Sequence, residues 1–153
     1  MEGLAKATPL LARFLLALVF VIGGISKVAD PSHTVAMMES HGIPLPQVLV
    51  FGAIAVELIG GLMLMAGWYG RLAALVLCVY TLVLAVIFHA FWAASGASAG
   101  TQHALFFGHL SMMGGMLYVV VYGSGPLSVD ESVRRASPLP SAHALASGVA
   151  MLS

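Results

Sequence analysis

The chain has 153 residues, 60% of them hydrophobic and only 8% charged, and its formal net charge is zero. A water-soluble domain usually carries about 25% charged residues, so the polar surface such a fold needs is missing and the integral membrane class is the one that fits. The absence of any Lys/Arg cluster excludes a nucleic-acid partner, and the single cysteine, Cys78, excludes an internal disulfide or dithiol relay.

The first apolar segment covers residues 9–29, close to the ~20 helical residues that cross ~30 Å of hydrocarbon. No clean small-residue cleavage site follows it, so it reads as a retained span, not a signal peptide. It carries two cations, Arg13 and Lys27. At ~100° per residue they fall about 40° apart around the helix, near Phe20, Gly23 and Gly24, on a stripe that faces other helices. Arg13, near one end, is expected to snorkel to the membrane surface. Lys27 is near the other end, where it can reach inward to Glu57 or outward to water.

The connection over residues 30–45 is more than a linker. Asp30-Pro31-Ser32 is a helix start with proline at the first helical position. Val35, Met37 and Met38 would put that helix on the membrane interface, and His41-Gly42-Ile43-Pro44 ends it.

The second span, residues 46–68, has Glu57 in its middle. A charge at that depth costs ~2.5–3.5 kcal/mol or more, so it implies a partner or a task. Gly60 and Gly61 share its helix face at i+3 and i+4 and allow a neighbouring backbone to come close. A carboxylate at such a contact is a candidate proton donor or acceptor; a purely architectural hydrogen bond is the plainer alternative. Counting ~1.5 Å per residue sets Glu57 roughly 10 Å deeper than Lys27, which leaves their pairing open.

The third span, residues 72–93, contains His89, and the fourth, residues 104–122, contains His109. Antiparallel neighbours would bring the two imidazoles to a similar depth. There they can bind a quinone carbonyl, relay a proton or ligate a metal or haem, or simply bond across helices. His109, Met112, Met113 and Met116 share a stripe suited to Cu(I), although methionine in an apolar helix is more often packing filler. Haem and copper are therefore the weaker readings and no metal site is assigned. The small residues of the loop at 94–102 make a connector or a mobile gate. His33, His41, His103 and His143 receive no role.

Nothing alternates like a barrel strand, so the fold is an all-α integral membrane bundle of four transmembrane helices over residues 1–125. Residues 126–153, rich in proline and serine, form an expected flexible tail. Lys6, Arg71, Arg134 and Arg135 flank one end of the spans, while the other two loops carry no Lys or Arg. The positive-inside rule places both termini and the Arg71 turn in the cytoplasm.

Several of these segments together resemble the DoxX family. They are Ala12-Arg13-Phe14-Leu15-Leu16, Gly23-Gly24-Ile25-Ser26-Lys27, Asp30-Pro31 and Ser40-His41-Gly42-Ile43-Pro44-Leu45-Pro46, followed by Val56-Glu57-Leu58-Ile59-Gly60-Gly61, Phe88-His89-Ala90-Phe91-Trp92 and Gly125-Pro126-Leu127-Ser128-Val129-Asp130. The similarity runs over residues 10–131 and lies in order and spacing, not in any single motif. It implies a small four-helix protein of the bacterial cytoplasmic (inner) membrane. Some members form subunits of membrane oxidoreductases, including thiosulfate:quinone oxidoreductase, and others are linked to quinone or thiol stress. The family's pattern residues fall on Arg13, Lys27, Glu57 and His89. Many relatives open span four with a Lys-Asn pair where this chain has Gly108-His109; this removes a buried cation, so a site built around it is either absent here or rebuilt around His109.

The functional expectation is a quinone-interacting membrane subunit of an oxidoreductase or redox-stress system. Glu57, His89 and Lys27 are its catalytic candidates, and Arg13, Lys27, Glu57, His89 and His109 its cofactor-binding candidates. No flavin, nicotinamide or iron–sulfur motif is present, so electrons would come from a partner redox subunit or a bound cofactor. The alternatives are a proton-coupled transporter of a small solute, working as a homo-oligomer, and a non-catalytic assembly subunit.

Overall fold

A computed structural model describes residues 1–137; the expectation for the tail beyond that point lies outside the described residues. The described chain is all helical. α1 (Glu2–Ala29), α5 (Gly70–Phe88) and α6 (Ala97–Tyr122) are continuous spans. The second span is α3 (Pro46–Ala55), a π-helical turn (Val56–Gly60) and α4 (Gly61–Ala66) in series. A short helix, α2 (Pro31–Ser40), bridges the first two spans, and α7 (Val129–Ala136) follows the last. All four spans are long and apolar enough to cross a membrane.

Each boundary has a local cause. α2 starts where the Asp30 carboxylate accepts the Ser32 N–H at 3.0 Å, with Pro31 in the first turn. The Ser32 hydroxyl donates to the same carboxylate and, with that N–H, holds the Asp30 carboxyl below the usual carboxylate range. Of its interfacial candidates, Met38 is buried with Thr34, so the helix lies against the bundle on that side. Gly67 ends α4 in the left-handed conformation, φ +68°, which glycine adopts without a Cβ penalty. α6 begins at Ala97, well before the expected 104. The intervening Ala97-Ser98-Ala99-Gly100 is helical but carries no large apolar side chain, so hydropathy does not mark it. The connection it leaves is correspondingly short.

Small residues at the contacts set the packing. Ala17, Ala73, Ala74, Leu77, Met116 and Phe20 form the centre of the core. A Cβ on Gly60 would meet the Leu77 side chain at 3.1 Å, and one on Gly61 would meet Val21 at 3.0 Å. The expected close glycine contacts are therefore made, between the second span and both α5 and α1. Leu15, Val19 and Ile22 remain exposed on the opposite face of α1, as lipid-facing side chains do.

The beginning of the expected flexible tail is ordered. Ser124 and Ser128 are buried. Asp130 accepts the N–H groups of Tyr69 and Gly70 at 2.8 and 2.9 Å, capping the start of α5, and its own N–H donates to the Gly67 carbonyl at 3.0 Å. Residues 123–131 thus close one end of the bundle, because polar groups at the helix ends find partners there. α7 then carries Glu131 paired with Arg134 and Arg135, which keeps the Glu131 carboxyl below its ordinary range, the Arg135 hydrogen bond contributing most.

Candidate functional site

Two side chains, one from α1 and one from α5, converge on a buried carboxylate of the second span. Glu57 is 3% exposed, within the apolar interior. Its oxygens accept hydrogen bonds from Lys27 Nζ at 2.8 and 3.0 Å and from the Tyr80 hydroxyl at 2.7 Å. The depth difference between Lys27 and Glu57 is closed by side-chain direction. A helical side chain leans toward the N-terminus of its own helix, so Lys27 runs back over Gly23 one turn earlier. Gly23 has no side chain, and a Cβ there would lie 3.1 Å from Glu57 Oε2 and 3.6 Å from Lys27 Nζ. Gly24 is the neighbouring gap: a Cβ at that position would collide with Leu58 at 2.7 Å.

Glu57 sits in the π-helical turn of the second span. Such a turn inserts one residue into an α-helix, shifts the register of the turns after it and is common at functional sites. Here Glu57 and Gly60 are both buried, Glu57 toward Lys27 and Tyr80 and Gly60 toward Leu77. Tyr80 is the member that sequence reasoning missed. The available signal was its position: it lies inside span three, away from the interfacial belts where tyrosine usually collects.

The arrangement has an asymmetry. Both carboxylate oxygens are engaged, but an ammonium has three N–H donors and Glu57 takes two. The Lys27 side chain is 21% exposed against 5% for the Glu57 side chain, so the lysine is the side from which this cluster can be reached. Chemically it combines a hydrogen-bond donor for an incoming oxygen with a carboxylate and a phenol able to pass protons.

The two histidines also meet, as a separate pair. The His89 and His109 rings are 4.7 Å apart between centroids. His89 follows the last residue of α5, and its Nδ1 lies 2.9 Å from the Gln102 side-chain oxygen. His109 Nδ1 donates to the Leu105 carbonyl at 2.7 Å, which leaves its Nε2 without a hydrogen-bond partner among the described residues. Phe91, Phe106 and Phe107 surround this end, with the His103 ring tilted against Phe107 at 4.6 Å between centroids. From Tyr80 to His89 the helix advances roughly 13 Å at ~1.5 Å per residue, which separates the pair from the Glu57 cluster. Among the described residues no group of three or more His, Cys, Asp or Glu side chains is assembled for a metal. Met116 is fully buried in the core, and Met112 and Met113 pack against that core.

Arg13 joins neither group and does not snorkel. It is 1% exposed and donates through Nε to the Met65 carbonyl at 3.1 Å, through Nη2 to the Leu127 carbonyl at 2.9 Å and through Nη1 to the Ser124 carbonyl. The guanidinium turns inward because three backbone carbonyls at the closed end satisfy it. Fourteen residues, roughly 21 Å at ~1.5 Å each, separate it from Lys27 along α1.

A family model, DoxX, matches residues 8–90, which carry Arg13, Lys27, Glu57, Tyr80 and His89. The inner membrane protein YphA of Escherichia coli strain K12 is 31% identical over 121 residues, covering 79% of this chain and 86% of that protein. The inner membrane protein YqjF of the same strain is 30% identical over 138 residues, covering 88% of this chain and 98% of its own. No solved structure matches the chain.

Proposed function

The chain belongs to the DoxX family of multi-pass inner-membrane proteins, and from that premise we propose that it is a quinone-interacting subunit of a membrane redox system. The observation that carries this reading is the Lys27–Glu57–Tyr80 cluster, a charged and protonatable group held inside hydrocarbon and open on its lysine side. An intramembrane ionisable group of this kind marks an ion, proton or ligand site by default.

In this proposal Lys27 donates its third N–H to a quinone carbonyl. Lys27 and Tyr80, the proton-bearing members of the cluster, hand a proton each to the ring as it is reduced, two electrons and two protons converting quinone to quinol, and the Glu57 carboxylate relays replacement protons from water. The electrons come from a partner subunit. His89 and His109, at the ring-rich end of α5 and α6, are a separate polar pair that would offer further donors to a ring-bearing ligand. Lys6, Arg71, Arg134 and Arg135 favour placing the Arg13 end in the cytoplasm.

One observation favours a second reading. Both oxygens of Glu57 are already taken by internal donors, as a purely architectural charge pair in an assembly subunit would require.

The test is mass spectrometry of quinone retained by gently solubilised protein, wild type beside Glu57→Gln and Lys27→Met. Near-stoichiometric quinone in the wild type, falling about tenfold or more in both variants, supports the redox reading. A buried hydrogen bond to a charged group contributes ~1.5–3 kcal/mol, and 1.4 kcal/mol is tenfold in affinity. Quinone absent from all three proteins overturns it and leaves the architectural reading.

A further inference from the structure

At the end closed by residues 123–131 an open pocket of about 700 Å³ lies between the start of α5 and the end of α6. Its lining includes Tyr69, Arg71, Tyr122, Gly123, Asp130 and Arg134. The formal charges of the lining cancel, but they are not equally available. Both oxygens of Asp130 are consumed in capping α5, and the Ser124 hydroxyl adds a third bond at 3.1 Å. Glu131 holds Arg134 at 2.5 Å and Arg135 at 2.8 Å. Arg71 is left with no acidic partner among the described residues. Its guanidinium lies across Gly123, where a Cβ would come within 3.5 Å of Nε.

Arg71 is flanked by two phenols, Tyr69 and Tyr122, both more than half exposed. Neither hydroxyl has a hydrogen-bond partner among the described residues. A guanidinium fork beside neutral O–H donors matches the oxygens of a phosphate. Leu72, also in the lining and 55% exposed, carries the pocket onto the lipid-facing side of α5. A headgroup phosphate seated at Arg71 would leave its acyl chains along this face of the helix, as cationic side chains between spans do when they bind anionic lipids.

We infer that this pocket holds the phosphate of an anionic phospholipid, with Arg71 as the charge partner and Tyr69 and Tyr122 as neutral donors. The site is independent of the Glu57 cluster, at the opposite end of the bundle from His89 and His109, and stands or falls without the quinone reading.

The test uses the full chain in detergent with equal phosphatidylglycerol and phosphatidylcholine, and bound lipids are counted by native mass spectrometry. The wild type should retain phosphatidylglycerol about fivefold better than Arg71→Gln, since one arginine at the surface contributes ~1 kcal/mol to anionic-lipid binding. Lys6→Gln, which removes an exposed cation outside the pocket, should behave as wild type. Equal retention by wild type and Arg71→Gln, or no preference for phosphatidylglycerol, overturns the inference. A second arm adds inorganic phosphate to delipidated protein. Arg71-dependent thermal stabilisation by phosphate at millimolar concentration, without any by phosphatidylglycerol, would overturn the lipid as the source and give the pocket to a soluble phosphate.

Discussion

Glu57 is a buried charge with two partners, the Lys27 ammonium and the Tyr80 hydroxyl. Its depth in an apolar run announces a partner, and Lys27 is the nearest candidate. Gly23 stands on the same stripe in the sequence, but the lysine folding back across it, and the phenol of Tyr80 that completes the cluster, are visible only in the structure. A tyrosine in a hydrophobic span looks like packing, and only its distance from the membrane edge sets it apart. The cluster makes a sharp prediction about coupling. Breaking a buried pair by removing one partner costs about 3–5 kcal/mol, whereas replacing both with apolar residues is often neutral. Lys27→Met and Glu57→Leu should therefore each lower stability in detergent, Lys27→Met by about 3–5 kcal/mol, while the double variant regains most of that loss. Additive losses in a thermal-unfolding cycle would show that the two side chains do not stabilise one another. The expected snorkelling of Arg13 fails for a related reason: its partners are backbone carbonyls, which every residue has and no sequence advertises.

At the scale of elements, the four spans were legible because hydrocarbon imposes a long apolar run, and their ends were less so. Hydropathy missed the first turn of α6, where alanine, serine and glycine form helix without adding apolar area. It also missed α7 and the folded segment before it, which are held by polar contacts. The π-helical turn has no sequence signature at all; it is visible only as a shift between the faces of α3 and α4. The junction of α4, α1 and residues 123–131 turns on Gly67. A Cβ there would approach Ser128 Cβ at 2.6 Å and Arg13 Cζ at 2.9 Å, in a backbone conformation with φ +68°. Gly67→Ala should cost about 1–3 kcal/mol and loosen the closing segment, read as faster tryptic cleavage after Arg134 and Arg135. Gly114→Ala is the contrast. A Cβ at Gly114 meets nothing within 4 Å, so that variant should match or exceed wild-type stability, by up to about 1 kcal/mol.

The whole molecule has two dissimilar ends. One gathers Lys6, Arg71, Arg134 and Arg135 with the Arg13 clasp; the other carries α2, the histidine pair and a cluster of aromatic rings. The charge asymmetry predicts that the first end faces the cytoplasm. Single cysteines at Lys6, Arg71 and Ser95 test this with a membrane-impermeant maleimide on intact cells, since native Cys78 is buried. Ser95→Cys should label from outside, and Lys6→Cys and Arg71→Cys only after the membrane is opened. Labelling in the reverse order would invert the topology. The clasp also has a consequence for how the protein is made. Two of the carbonyls that satisfy Arg13 lie 111 and 114 positions further along the chain. At ~5–20 residues per second, the ribosome takes roughly 6–23 s after Arg13 to deliver them. Throughout that interval the first helix carries a cation without its final partners. A chain broken off before Ser124 would lack both carbonyls, so the closed end of the bundle can form only after the last span and the segment behind it have been made.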